Sequence, residues 1–128
     1  MQEVKVKILC IDDDADTCEM IRVLLEYSGY EVTTVRTAAE ALRLAKSVRF
    51  DLYLLDNWLT DGTGIELCRQ IRSFDSASPV LFVSGAAFES DIQKAMSAGA
   101  QGYMVKPIII SELESVVDDL LKHKYEHA

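Results

Sequence analysis

Four apolar runs of this 128-residue chain are each followed at once by a side chain that could bind a metal ion or a phosphoryl group. The pairs of apolar run and polar residue are Ile8–Ile11 with Asp12-Asp13-Asp14, Leu52–Leu55 with Asp56, Val80–Val83 with Ser84, and Tyr103–Val105 with Lys106. Carboxylate oxygens are the ligands that Mg²⁺ prefers, and lysine binds phosphate oxygens through its charge. Grouped around one carboxylate, these residue types are suited to phosphoryl transfer onto that carboxylate.

The charges of these residues point to a bound cation. Three carboxylates in close proximity do not all remain ionised without compensation. Lys106 supplies one positive charge, which leaves an excess of two negative charges that one Mg²⁺ would neutralise. Each residue alone has an ordinary structural explanation: Asp13 or Asp14 as a helix cap, Asp61-Gly62 as a turn and Lys106 as a solvated charge. Their combination at successive strand ends favours a site.

The segments that must position these side chains alternate between two patterns. Five short runs of apolar or β-branched residues, the four above and Val32–Val35, are too short for helices and too continuous for half-exposed strands, so they predict a parallel sheet covered on both faces. Helix-period stripes lie between and after them. Right-handed crossovers then give an α/β fold, a five-stranded parallel sheet with five helices on both faces. In the strand order 2-1-3-4-5, Asp12, Asp13 and Asp56 would converge at the crevice where such sheets bind ligands.

Local signals mark several helix ends. Thr37 and Ser111 are each followed three residues later by a glutamate, the spacing of a capping box. Gly29 and Gly99 stand where helices should stop, because glycine readily adopts the left-handed conformation of a C-terminal cap.

Composition predicts one globular domain over residues 1–122, followed by a polar tail over 123–128. Apolar residues make up 49% of the chain and charged residues 27%, the ordinary balance of a globular protein. Because the chain has no long apolar run and no signal-peptide pattern, we predict a cytoplasmic protein. A net charge of −8 argues against direct binding to nucleic acid or membranes. The cysteines, Cys10, Cys18 and Cys68, lie in apolar stretches and are predicted to be reduced core thiols.

Taken together, these motifs resemble the receiver domain of bacterial two-component response regulators, including the chemotaxis regulators. The resemblance rests on Asp12-Asp13, on Asp56 at the end of residues 51–56, on Ser84 and on residues 102–107, and it covers the chain from about Lys5 to Lys122. It implies a flavodoxin-like fold with strand order 2-1-3-4-5. It also implies Mg²⁺-dependent phosphorylation by the phosphohistidine of a histidine kinase or a phosphotransfer protein.

The resemblance assigns the metal and acceptor residues by position. Asp56 corresponds to the phosphoacceptor. Asp13 and Asp56 would bind Mg²⁺ directly, Asp12 would act mainly through water, and the backbone carbonyl of Trp58 would complete the set. A receiver of this kind catalyses its own phosphorylation and dephosphorylation and turns over no external substrate.

The resemblance also assigns the residues that respond to phosphorylation. Lys106 would pair with the phosphoryl oxygens, and the Ser84 hydroxyl would donate a hydrogen bond to one of them. Tyr103 matches the aromatic residue that turns inward when that hydroxyl moves. The Lys106–Pro107 peptide bond is expected to be cis, as it is in the family. A downstream protein would then bind the face formed by the fourth helix, fifth strand and fifth helix.

A few positions depart from the family pattern. Thr60 stands where proline is common, Gly85 where alanine is usual and Ile108 where phenylalanine is frequent, and Trp58 is unusually large. These departures leave the acidic pair, the acceptor and the lysine intact.

Two alternative functions require different residue patterns. An aspartate-nucleophile phosphohydrolase needs the motif D-x-D-x-[TV], and the chain has Asp16 at the last position. A pseudo-receiver, a protein-binding module that is never phosphorylated, would typically have lost the acceptor, the lysine or the acidic pair.

Overall fold

A parallel five-stranded sheet forms the centre of the protein, in a computed structural model that describes residues 4–126 and side chains up to residue 122. Its strands are β1 (Lys7–Ile11), β2 (Glu31–Val35), β3 (Leu52–Leu55), β4 (Val80–Ser84) and β5 (Gly102–Val105). The helices are α1 (Ala15–Tyr27), α2 (Ala38–Ser47), α3 (Gly64–Arg72), α4 (Glu89–Ser97) and α5 (Ile110–Glu126).

The sheet has the predicted strand order, 2-1-3-4-5, and all its strand pairs are parallel. The α/β fold with five helices on both faces is therefore confirmed. A short antiparallel hairpin between Trp58–Leu59 and Gly62–Thr63 was not predicted, because two-residue strands have no hydrophobic period to detect.

Two hydrophobic cores lie on opposite faces of the sheet. Leu9 and Ile11 of β1 pack with residues of α2, α3 and α4, whereas Ile8 and Cys10 pack with α1 and α5. Side chains alternate along a strand, so the helices on the two faces of the sheet bury both sets of β1 residues. Burial on both faces explains the continuous apolar runs. Cys10, Cys18 and Cys68 are free and buried, as predicted.

The helix ends follow most of the local signals. The Thr37 hydroxyl accepts the N–H of Glu40 and caps α2, and Gly29 and Gly99 adopt positive φ angles of 99° and 111°. The cap predicted at Ser111 is wrong. Helix α5 already begins at Ile110, and in its first turn the Leu113 N–H donates to the Ile109 carbonyl. Residues i and i+3 also neighbour each other inside a helix, so this spacing alone does not locate a helix start.

The C-terminal helix α5 runs as far as Glu126, so four residues of the segment predicted as a polar tail have helical backbone. Residues 127–128 of that tail lie outside the described residues. Within the described part of the chain, no helix combines the length and the apolar composition that a membrane span requires.

Candidate functional site

Three carboxylates meet at the carboxyl edge of the sheet. Asp12 directly follows β1 and Asp56 directly follows β3, the strand that pairs with it, so both side chains emerge at one edge together with Asp13. One carboxylate oxygen from each residue lies within 4.8 Å of the others. Asp12 and Asp56 are only 2% and 7% exposed, whereas Asp13 is exposed. The predicted convergence of the three residues is therefore present.

Lys106 is the cation of this site. Its Nζ donates hydrogen bonds to Asp12 Oδ2 at 2.8 Å and to Asp56 Oδ2 at 3.4 Å. Burial alone would lower the pKa of Lys106, but these bonds and the two negative charges outweigh burial and raise it. The Lys106–Pro107 peptide bond is cis.

The donor set fits a hard divalent cation. Burial raises the pKa of Asp12, although the Lys106 ammonium and the Asp14 N–H favour its charged form. One lysine compensates only one of the three negative charges, and the exposed side chain of Asp13 leaves the cluster accessible to an ion. All the side-chain ligands are oxygens, the set that Mg²⁺ selects. Asp12, Asp13 and Asp56 are the one group with this spacing in the part of the chain that the structure describes.

Gly64 positions the backbone of Asp56, a role that the sequence analysis missed. A Cβ at Gly64 would lie 2.3 Å from the carbonyl oxygen of Asp56 and 3.0 Å from the Phe82 ring. The N–H of Gly64 also donates to the carbonyl of Asn57 at 2.9 Å, which holds α3 against the start of the loop. Only glycine fits this close approach of two backbone segments.

Asp61 fixes the loop between β3 and α3 to another element. Its carboxylate accepts the N–H groups of Ala38 and Ala39 at 2.8 and 3.0 Å, at the first turn of α2. These two bonds lower the pKa of Asp61. The interpretation of Asp61-Gly62 as an ordinary turn was therefore incomplete. In the same loop the Trp58 side chain is 60% exposed.

Ser84 and Tyr103 converge on a third residue, Ala86. The Ser84 hydroxyl is fully buried and accepts the Ala86 N–H at 3.2 Å, while the Tyr103 hydroxyl donates to the Ala86 carbonyl at 2.6 Å. The Tyr103 ring stacks on Phe82 with centroids 5.7 Å apart. The two predicted switch residues thus hold the same peptide segment, the one between β4 and α4.

Known proteins resemble this chain over nearly its whole length. A family model described as the response regulator receiver domain matches residues 8–118. A CheY-like receiver domain protein from Methanospirillum hungatei has a TM-score of 0.95 and 28% identity, and the match covers 98% of this chain and 100% of that one. Vibrio cholerae chemotaxis protein CheY4 has a TM-score of 0.87 and 28% identity, with 91% of this chain and 99% of that chain covered.

Curated relatives are longer than this chain. The nisin biosynthesis regulatory protein NisR of Lactococcus lactis is 32% identical over 92% of this chain and 51% of its own length. The DNA-binding response regulator MtrA of Mycobacterium tuberculosis is 32% identical over 88% of this chain and 49% of its own length. The chain therefore spans about half the length of these relatives.

Proposed function

This chain belongs to the response regulator receiver domain family, and on that premise we propose that Asp56 accepts a phosphoryl group from a partner's phosphohistidine. The observation that carries the proposal is the convergence of Asp12, Asp13 and Asp56 around Lys106. The donor would be a histidine kinase or a histidine phosphotransfer protein. A domain of this family is a signalling module rather than a classical enzyme.

The residues of the site divide the chemistry among them. The Asp56 carboxylate would attack phosphorus, so that an O–P bond forms while the P–N bond to the donor imidazole breaks and its electron pair returns to nitrogen. Lys106, already 3.4 Å from Asp56, would pair with the phosphoryl oxygens as they arrive. Asp12, Asp13, Asp56 and the Trp58 carbonyl would hold Mg²⁺, which supplies charge neutralisation for the incoming phosphoryl group.

The proposal predicts metal-dependent phosphorylation. Incubation with acetyl phosphate and Mg²⁺ should add one phosphoryl group, because without the metal an anionic donor meets excess negative charge. Asp13→Asn should lower the affinity for the Mg²⁺ that supports phosphorylation by about tenfold or more, since it removes one charged ligand. Intact-mass spectrometry over time measures the uptake. Asp16→Asn, an exposed acid just inside α1, is the matched control and should behave as the native protein does. Full uptake in EDTA would contradict the proposal.

Phosphorylation should be read out on the face formed by α4, β5 and α5. A phosphoryl group on Asp56 would attract the Ser84 hydroxyl, which now accepts the Ala86 N–H. Because Tyr103 binds the carbonyl of the same residue, a shift of this segment changes the surroundings of the tyrosine. A ligand shifts such an equilibrium only through contacts that differ between the two states, and the new hydrogen bond is such a contact.

Ser84→Ala is therefore expected to weaken the coupling to this face. NMR shifts induced by beryllofluoride should reach α4, β5 and α5 in the native protein and shrink there by about half or more in Ser84→Ala. Ser73→Ala, at an exposed serine at the end of α3, is the control and should leave the shifts unchanged. Undiminished shifts in Ser84→Ala would show that the coupling follows another route.

Trp58 is proposed to slow the loss of the phosphoryl group. Its indole is 60% exposed two residues beyond Asp56, and it offers one N–H donor and a large apolar surface. It should therefore exclude the water that hydrolyses the aspartyl phosphate rather than orient it. The alternative role is an anchor for a partner protein, as exposed aromatic residues often are.

Trp58→Asn is expected to speed decay of the phosphorylated domain by about tenfold, which corresponds to about 1.4 kcal/mol of barrier. Phosphate release from the isolated domain measures this rate. Trp58→Phe is the matched control and should decay at close to the native rate. If Trp58→Asn decays no faster than the native protein, the shielding role is wrong and the anchor role is favoured.

A further inference from the structure

A small cleft opens beside the acidic cluster. Its volume is about 280 Å³, and its lining residues are Asp13, Arg36, Thr37 and Thr60. Asp13 belongs both to this cleft and to the acidic cluster, so the two are continuous. Arg36 directly follows β2, whose last carbonyl, that of Val35, accepts the N–H of Asp12 at 3.2 Å. The backbone therefore holds Arg36 next to the acidic pair.

Arg36 is available to bind an anion. The side chain is exposed, and within the described residues no carboxylate lies at ion-pairing distance from its guanidinium and no hydrogen bond engages it. Lys106, by contrast, is already paired with Asp12 and Asp56. A guanidinium binds carboxylates and phosphates through two parallel N–H bonds, so the carboxylate released by an acyl phosphate is one of the groups that fit it.

The walls of the cleft are held in place by hydrogen bonds. Asp61 connects the loop that carries Thr60 to the amides of Ala38 and Ala39 in α2. Thr37 accepts the N–H of Glu40, and its own hydroxyl hydrogen is left to donate to a ligand. Since these first-turn amides of α2 already have partners, Arg36 and the threonine hydroxyls would provide the binding groups.

We propose that this cleft binds the acyl end of small acyl-phosphate donors, with Arg36 as the cation that recognises it. The inference rests on the proposed function of Asp56. In the reaction, a bond forms between an Asp56 oxygen and phosphorus, while the anhydride O–P bond breaks and the acyl group leaves as a carboxylate with the electron pair. Arg36 would stabilise the negative charge that develops on this leaving group and would attract the anionic donor.

Two small donors with different leaving groups test this role. Acetyl phosphate releases acetate, an anion, whereas phosphoramidate releases neutral ammonia. Arg36→Ala should lower the phosphorylation rate with acetyl phosphate by about tenfold and the rate with phosphoramidate by less than about twofold. Arg36→Lys should restore part of the rate with acetyl phosphate, because charge returns without the bidentate geometry. Intact-mass spectrometry over time, in saturating Mg²⁺, follows both reactions.

The controls separate a local role from an effect of net charge. Arg43→Ala removes an exposed arginine from α2, outside the cleft, and should leave both rates unchanged. An equal loss with both donors in Arg36→Ala, or no loss with either, would overturn the inference while leaving the function of Asp56 intact. If the native protein takes up a phosphoryl group from neither donor, the proposed function itself fails and the inference falls with it.

Discussion

Gly64→Ala is expected to abolish phosphorylation of Asp56 and to lower the free energy of unfolding by about 3 kcal/mol. The added Cβ would lie 2.3 Å from the Asp56 carbonyl oxygen, far inside van der Waals contact, and 3.0 Å from the Phe82 ring. The closest clash is with backbone, which has no rotamer through which to move away. Either α3 or the Asp56 backbone must shift, and a shift of Asp56 separates its carboxylate from Asp12, Asp13 and Lys106.

Gly85→Ala is the matched control for this substitution. A Cβ at Gly85 meets nothing within 4 Å, and its φ lies outside the positive region. Alanine there should leave stability unchanged or raise it by about 0.5 kcal/mol, because it restricts the unfolded chain. Urea denaturation measures the free energy of unfolding of both variants, and phosphoryl uptake from acetyl phosphate measures their phosphorylation. Native stability and native uptake in Gly64→Ala would show that the close approach to Asp56 is not a constraint.

Arg72→Ala is expected to lower the free energy of unfolding by about 3 kcal/mol without changing the acidic site. Its guanidinium donates to the Gly99 carbonyl at 3.0 and 2.8 Å and to the Ser78 carbonyl at 2.7 Å. It also donates to the Asp75 carbonyl and to the Gln101 side chain. One side chain thus connects the end of α3 to the segments that lead into β4 and β5, and its loss would leave several partly buried acceptors unpaired.

Arg69→Ala, on the same helix, provides the comparison. Arg69 is exposed and makes one ion pair with Glu66 at 3.5 Å, so its removal should cost less than about 0.5 kcal/mol. Arg72→Lys should be nearly as unstable as Arg72→Ala, because an ammonium cannot reproduce the planar fork of donors. Chemical denaturation measures the free energy of unfolding of all three variants. Equal stability of the Arg69 and Arg72 variants would contradict the role assigned to Arg72.

The fold was predictable because its strongest signals are local. The central strands β1, β3 and β4 are buried on both faces and so require continuous apolar runs. The structure extends the five predicted runs by at most one residue at an end. Gly29 and Gly99 have φ angles that favour glycine, so they marked helix ends correctly. Met96 shows the limit of such patterns: it follows Ile92 by four residues, the spacing of a helical stripe, but it is 44% exposed because α4 buries only a narrow face at Ala95.

The acidic site was predictable for a topological reason, but the residues that hold its backbone in place, Gly64 and Asp61, were not predictable. Parallel strands end at one edge, so polar residues at the ends of neighbouring strands must meet. Gly64 and Asp61 act through tertiary contacts that no local pattern encodes. The glycine is needed because another backbone segment passes close to it, and Asp61 caps a helix that lies 23 residues earlier in the chain. An Asp-Gly pair looks the same whether it caps a distant helix or only makes a turn.

The central claim is that Asp56 itself carries the phosphoryl group, and chemical mapping tests this most directly. Borohydride reduction converts an aspartyl phosphate to homoserine, which peptide mass spectrometry then locates in the protein treated with acetyl phosphate and Mg²⁺. Homoserine is expected at position 56 alone, and Asp56→Asn should take up no phosphoryl group. Homoserine at Asp12 or Asp13 in the native protein, or undiminished uptake in Asp56→Asn, would contradict the claim.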